Sequence, residues 1–244
     1  LGIIPARYAS SRFPGKPLID IEGKTMIQRV YEQVKKSTKL NEVVVATDDQ
    51  RIAQTVRSFG GEVVMTAAHH QSGTDRCAEV ITNIGGYDVA INIQGDEPFI
   101  DPAQIDLLAS CFEDTTTQIA TLVKEITAEE ELFNVNIPKV VRNTKGEAIY
   151  FSRQTIPFLR AVEKDQWLHK QTFYKHIGIY AYQVDTLKAL TQLPISMLEE
   201  AEALEQLRWL ENGYAIQTAI TTHETVAVDT KEDLAKILRL FFNK

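Results

Sequence analysis

Ile3 Ile4 Pro5 Ala6 Arg7 Tyr8 Ala9 Ser10 Ser11 Arg12 Phe13 Pro14 Gly15 Lys16 Pro17 Leu18 opens as a short apolar strand and runs at once into a loop carrying three cations. Prolines stiffen that loop, and Gly15 lets it turn. Two guanidiniums, an ammonium and backbone amides held together suit a polyanion such as a nucleoside triphosphate, because charge-assisted hydrogen bonds to phosphate are among the strongest available. Any one of Arg7, Arg12 and Lys16 alone reads as a solvated charge. All three directly after a buried strand point to phosphate chemistry.

Outward from this loop, apolar strands alternate with amphipathic helices. Residues 1–5, 43–47, 62–65 and 89–93 read as buried strands. Met26, Ile27, Val30, Tyr31 and Val34 fall on one face of a helix over 25–37, and Ile52 with Val56 repeats the spacing before Gly60 and Gly61. Cys77, Val80, Ile81 and Ile84 form a third such face, ended by Gly85 and Gly86. This βαβ alternation predicts an α/β fold with a mostly parallel sheet and a ligand site at the carboxyl ends of its strands. The second half reads differently: a hairpin over 139–151, a polar stretch over 160–172, an aromatic strand over 173–182, a helix over 199–212 and a strand over 214–220. A further apolar strand over 225–228 leads to a capping box, Thr230 with Asp233, that opens a last helix. No linker or repeat interrupts the chain, so a single domain is expected.

With 244 residues, 44% of them hydrophobic and 24% charged, the chain can bury a full core. The net charge of -7 disfavours extended nucleic-acid binding and leaves only local basic clusters for anions. Cys77 and Cys111 are the two cysteines, and neither has metal or disulfide spacing, which fits a reducing cytoplasm. No apolar run is long enough to cross a bilayer, and residues 1–5 are too short for a signal-peptide core.

Asn92 Ile93 Gln94 Gly95 Asp96 Glu97 Pro98 follows a strand directly and puts Asp96 at the ligand-facing edge of the sheet. Asp229 ends the apolar 225–228 run in the same way. Mg²⁺ takes one or two protein carboxylates and fills its octahedron with waters and substrate phosphates, so this pair is a candidate metal site; each is equally read as a turn or helix cap. Neither a GxxxxGK[ST] loop nor a GxGxxG fingerprint is present, which sets aside P-loop and dinucleotide-binding classes. In Gln71 Ser72 Gly73 Thr74 Asp75 Arg76, the opening of a helix could hold an anion or a base edge, or Ser72 or Thr74 could simply cap it. Strand alternation places His176, Gly178 and Tyr180 on one face, where a histidine is commonly structural. Glu202 and Glu205 stand three apart on a charged helical face. No Ser/His/Asp or Cys/His signal supports covalent catalysis.

Taken together, Ile4 Pro5 Ala6 Arg7, Arg12, Pro14 to Leu18, Gln71 to Arg76, Gln94 to Pro98, Tyr150 Phe151 Ser152 Arg153, His176 to Tyr180, Leu204 Glu205 Gln206 Leu207 Arg208 and Val228 Asp229 Thr230 closely resemble the 3-deoxy-manno-octulosonate (KDO) cytidylyltransferases. The match runs nearly end to end and in order. The resemblance implies a three-layer, glycosyltransferase-A-like nucleotidyltransferase fold with a mostly parallel central sheet and a small dimerisation lobe. It implies one domain over 1–244, in which roughly 135–215 contribute the sugar-acid site and the contacts of a homodimer. The implied reaction joins CTP and KDO into CMP-KDO with release of diphosphate, in the cytoplasm, for lipopolysaccharide biosynthesis.

Carried over by position, Arg7, Lys16, Asp96 and Asp229 would be catalytic; Arg7, Arg12, Lys16, Ser72 and Arg76 would bind CTP; Asp96 and Asp229 would hold Mg²⁺. Gln94, Arg153, His176, Tyr180 and Glu202 would surround the sugar acid. The run Asn134 Val135 Asn136 Ile137 Pro138 Lys139 departs from the family by moving a proline, and residues 225–228 lack the glycine usual before Val-Asp-Thr. A cytidylyltransferase for a sialic-acid-type sugar, or a nucleotide-binding protein without turnover, are the competing readings.

Overall fold

The four apolar runs of the first hundred residues form the parallel strands that their composition predicts: β1 (Gly2–Pro5), β2 (Val43–Thr47), β3 (Val63–Met65) and β4 (Val89–Asn92). They lie in the order β4, β1, β2, β3, with Ile4 opposite Val45 and Ile3 opposite Asn92. Between them run α1 (Met26–Val34), α2 (Gln50–Ser58) and α3 (Gly73–Ile84). Each begins at a side-chain cap, Thr25, Asp49 and Ser72 respectively, whose oxygen accepts a first-turn amide. Met26, Ile27, Val30 and Val34 are fully buried, as their spacing requires.

The computed structural model describes residues 1–9, 13–224 and 226–242, and its contacts fall into two compact units. The first is Leu1–Ala109 with the stretch from Glu224 onward; the second is Ser110–His223. In the first unit the turn after β4 closes on the end of β1. A Cβ built on Gly95 would lie 2.7 Å from the Pro5 carbonyl oxygen, so only glycine permits this approach. Gly95→Ala is expected to lower unfolding free energy by about 1–3 kcal/mol through overpacking. Denaturant titration checks this, and a wild-type midpoint would contradict it.

The second unit contains β5 (Ile119–Glu125), β6 (Lys139–Arg142), β7 (Ala148–Ser152), β8 (Tyr174–Gln183) and β9 (Ile216–Ile220). β9 runs parallel to β5, while β5 with β8, β8 with β6 and β6 with β7 are antiparallel. The expected hairpin is β6–β7, turning at Gly146 with φ 84°. The stretch read as polar hides Trp167, buried against Ile126, Leu132 and Phe173 in a small separate core.

Two expected elements differ. The helix over 199–212 is two helices, α4 (Met197–Glu202) and α5 (Gln206–Glu211), separated at Ala203, which has φ 49°. Of the strand expected over 225–228, Thr225 lies outside the described residues and 226–228 join no sheet; Val228 donates its N–H to the Asp96 carbonyl at 2.9 Å.

Candidate active site

The carboxyl ends of β1 and β4 open onto a cavity of about 330 Å³ lined wholly by the first unit. At β1, Ala6 donates its N–H to the Ala46 carbonyl, and the chain then leaves the sheet at Arg7, which is exposed and lines the cavity. The loop closes where Gly15, with φ 72°, donates its N–H to the Tyr8 carbonyl; a single 3₁₀ turn, Lys16–Leu18, follows. Lys16 Nζ donates to Asp96 Oδ2 at 2.7 Å and to Asp229 Oδ1 at 3.1 Å. Asp229 is held by the N–H of its neighbour Val228 on the Asp96 carbonyl and by the capping box beyond it. There Asp233 accepts from the Asp229 and Thr230 amides while Thr230 Oγ1 accepts from the Asp233 amide.

Three residues predicted from separate motifs therefore meet at one point. Arg12 lies outside the described residues. Glu97 is buried beside this group, and burial, reinforced by the Asp96 charge, pushes its pKa up to about 8.

Ser72, Arg76 and Gln94 line the same cavity. Ser72 does cap α3: its Oγ accepts from the Asp75 amide while the Asp75 carboxylate accepts from the Ser72 amide. Arg76 is 4% exposed, with its guanidinium donating to Thr66 Oγ1 and lying 3.5 Å from Asp48 Oδ1. His70, which the sequence reading passed over, also lines the cavity and is paired through Nε2 with Glu79.

Arg153, His176, Tyr180 and Glu202 all belong to the second unit. His176 pairs with Val123 and Tyr180 with Thr121, because a bulge between Ile177 and Tyr180 takes up two residues of β8. Without it, residues four apart on a strand would be out of contact; with it the two ring centroids are 5.2 Å apart. Thr121 Oγ1 donates to the Ile179 carbonyl at 2.7 Å, so its contact with His176 at 3.0 Å is received from Nε2–H. Desolvation pulls the His176 pKa down to about 4, and desolvation with the nearby Glu205 charge holds the Tyr180 phenol well above its usual value.

The His176 shift fixes a pH dependence. The unfolded chain takes up this proton near pH 6.5 and the folded one near pH 4, so stability is intact above 6.5 and falls as pH drops through that window. His176→Gln should remove up to about 3 kcal/mol of this acid-side loss. Unfolding free energies from pH 7 to 4 check it, and identical slopes in the two proteins would contradict it.

Glu202 is occupied by the end of β7, accepting from Ser152 Oγ at 2.7 Å and from the Arg153 amide at 2.9 Å. The Arg153 guanidinium in turn donates to the Glu202 and Ala203 carbonyls at the C-terminus of α4. Lys139, with no exposed surface, donates to the Asn134, Ile137 and Arg153 carbonyls at 2.6–2.8 Å, which pins the loop holding the displaced proline; desolvation lowers its pKa. Strand periodicity gave no sign of that role. Gln206 Nε2 is buried with no hydrogen-bond partner among the described residues.

A family model described as Cytidylyltransferase matches residues 1–226. The chain belongs to the cytidylyltransferase family. This cytidylyltransferase is 59% identical over 249 residues to the 3-deoxy-manno-octulosonate cytidylyltransferase of Parabacteroides distasonis, covering 100% of the chain and 98% of that protein. It is 48% identical over 246 residues to the protein of the same name from Geobacter sulfurreducens, covering 97% and 96%. Among solved structures, CMP:2-keto-3-deoxy-manno-octonic acid synthetase complexed with CTP superposes with a TM-score of 0.93 at 44% identity, covering 100% and 98%. A glucose-1-phosphate thymidylyltransferase from Bacillus anthracis, 17% identical with a TM-score of 0.65, shares the nucleotidyltransferase fold alone.

Proposed function

We propose that this cytidylyltransferase joins CTP and KDO into CMP-KDO and diphosphate for lipopolysaccharide biosynthesis. The observation that carries the reading is the meeting of Lys16, Asp96 and Asp229 in the lining of a cavity in a chain 59% identical, end to end, to a KDO cytidylyltransferase. In the reaction the anomeric hydroxyl oxygen of KDO forms a bond to the α-phosphorus, the bond from that phosphorus to the bridging oxygen breaks, diphosphate departs and the hydroxyl proton passes to solvent. Little covalent chemistry is asked of the protein, so its work is positioning and charge stabilisation.

Arg7 and Lys16 bring positive charge to the phosphates, with Arg12 of the same loop added from the sequence reading. Ser72 and Arg76 stand at the start of α3, where the positive end of the helix dipole favours the nucleotide.

The donor set also fits a hard divalent cation. Two carboxylate oxygens already share one cation, the Lys16 ammonium, within 3.1 Å, and Mg²⁺ needs no more than one or two such ligands. Asp96 and Asp229 would hold Mg²⁺, which supplies charge neutralisation on the phosphoryl oxygens when bound.

Gln94, Arg153, His176, Tyr180 and Glu202 form our sugar-acid assignment. Arg153 and Glu202 contribute mainly by shaping the β7–α4 corner; neutral His176 and the un-ionised Tyr180 phenol offer hydrogen bonds without repelling a carboxylate. A homodimer through the 135–215 region is supported by exposed Ile149, Phe158, Ile195 and Met197, the last 81% exposed. No helix among the described residues is long and apolar enough to cross a membrane, and we assign the enzyme to the cytoplasm.

Diphosphate release from CTP and Mg²⁺, compared with KDO, an 8-substituted KDO and N-acetylneuraminate as acceptors, tests the reading. Release dependent on KDO is expected. Release with N-acetylneuraminate alone would move the specificity, and silence with all three would remove the activity.

A further inference from the structure

The cavity has two chemically distinct clusters. One is Lys16 with Asp96 and Asp229, suited to phosphate and metal; the other is built on the segment from Thr66 to Glu79. In that second cluster the cavity-lining side chains are unequally free. Arg76 spends its guanidinium on Thr66 and Asp48, and Ser72 Oγ accepts the Asp75 amide. His70 is different. Its Nε2 meets Glu79 Oε2, and the same carboxylate oxygen accepts the Ala67 amide at 2.9 Å.

Burial works against the Glu79 charge, yet the Ala67 amide and the His70 ring keep its pKa below the usual carboxylate value. A carboxylate oxygen only accepts, so this contact is given by Nε2–H, and Nδ1 is the ring nitrogen left for a ligand. No hydrogen bond reaches Nδ1 among the described residues. His70 lines the cavity and Glu79 does not.

We propose that His70, oriented by Glu79, is a specificity-determining residue that reads the nucleobase, accepting the exocyclic amine of cytosine at Nδ1 and disfavouring uracil. Cytosine presents an amine where uracil presents a carbonyl oxygen, and an acceptor facing that oxygen leaves both unpaired in a partly buried site. Glu79 is a positioning residue, acting through the ring it fixes. The inference rests on CTP being the nucleotide donor.

The test compares CTP with UTP as donor in two variants that divide the ring between them. Glutamine reaches to where Nε2 stood, so His70→Gln keeps the Glu79 contact and empties the Nδ1 position. Asparagine sets its amide where Nδ1 stood, so His70→Asn keeps an acceptor there and gives up Glu79. The ratio of kcat/KM for CTP over UTP should fall at least about tenfold in His70→Gln and stay within about threefold of wild type in His70→Asn.

Glu79→Gln, whose one carbonyl oxygen can serve both Ala67 and His70, should keep the wild-type ratio, whereas Glu79→Ala should lose it. Unchanged selectivity in His70→Gln, or an equal or larger loss in His70→Asn, overturns the proposal. Should the variants fail to fold, wild-type enzyme labelled with ¹⁵N-histidine decides: CTP should move the His70 Nδ1 resonance and UTP should not, and an unmoved resonance overturns it. Absence of any CTP-dependent diphosphate release by the wild type would instead remove the reaction assignment beneath it.

Discussion

Asp96→Asn is expected to lower KDO-dependent diphosphate release by about three orders of magnitude while leaving the fold in place. The substitution keeps the side chain's shape and an oxygen for Lys16 but removes the charge that a divalent cation needs. What holds the local structure together is main chain: the Asp96 carbonyl receives Val228 N–H, and Gly95 makes the close approach to Pro5. Neither depends on the carboxylate. Lys16 also keeps its second partner, Asp229 Oδ1 at 3.1 Å, so the ammonium is not left unpaired. Diphosphate release and thermal melting of the same preparation check the two halves. A rate within tenfold of wild type would remove Asp96 from the chemistry.

Lys16→Met should lower kcat/KM for CTP by about a hundredfold or more, since a charged donor to phosphate is lost from a site that catalyses by electrostatics. It carries a second, opposite signature. The ammonium occupies the space between Asp96 and Asp229, and its removal leaves two carboxylates facing one another. The variant should therefore gain more thermal stability from Mg²⁺ alone than the wild type does, because the metal no longer competes with a tethered cation. Melting curves with and without Mg²⁺ measure this. Equal metal-induced shifts would mean that Lys16 and the metal do not share those oxygens.

Local signals made the first unit legible. Its strands are uninterrupted apolar runs, its helices show a 3.6-residue face, and the cap at Ser72 and the Thr230–Asp233 box stand where the sequence suggests. The loop between Arg7 and Lys16 and the turn at Asp96 were legible as phosphate and metal candidates because each follows a strand. What no spacing shows is that Lys16 sits between the two aspartates, 80 and 213 residues away along the chain.

The second unit was less legible because long-range contacts override local preference there. Alanine is the best helix former, yet Ala203 breaks the expected helix with φ 49°, where Glu202 turns aside to Ser152 and Arg153 and Arg153 binds the freed carbonyls. His176 and Tyr180 were placed on one face by alternation. They do meet, but through a bulge that alternation does not contain. Lys139 looked like a strand cation; a buried ammonium shared by three carbonyls can be recognised only once the loop at 134–137 and the end of β7 are brought to it.

On the proposed assignment, Asp96 and Asp229 together hold the cation that carries the nucleotide. Mn²⁺ titrated into the enzyme with CTP present, read as the loss of free Mn²⁺ signal by electron paramagnetic resonance, tests it most directly. Wild type should bind in the micromolar range, and Asp96→Asn and Asp229→Asn should each weaken binding by about tenfold or more, with the double variant no better than the weaker single. Wild-type affinity in both single variants would contradict the account.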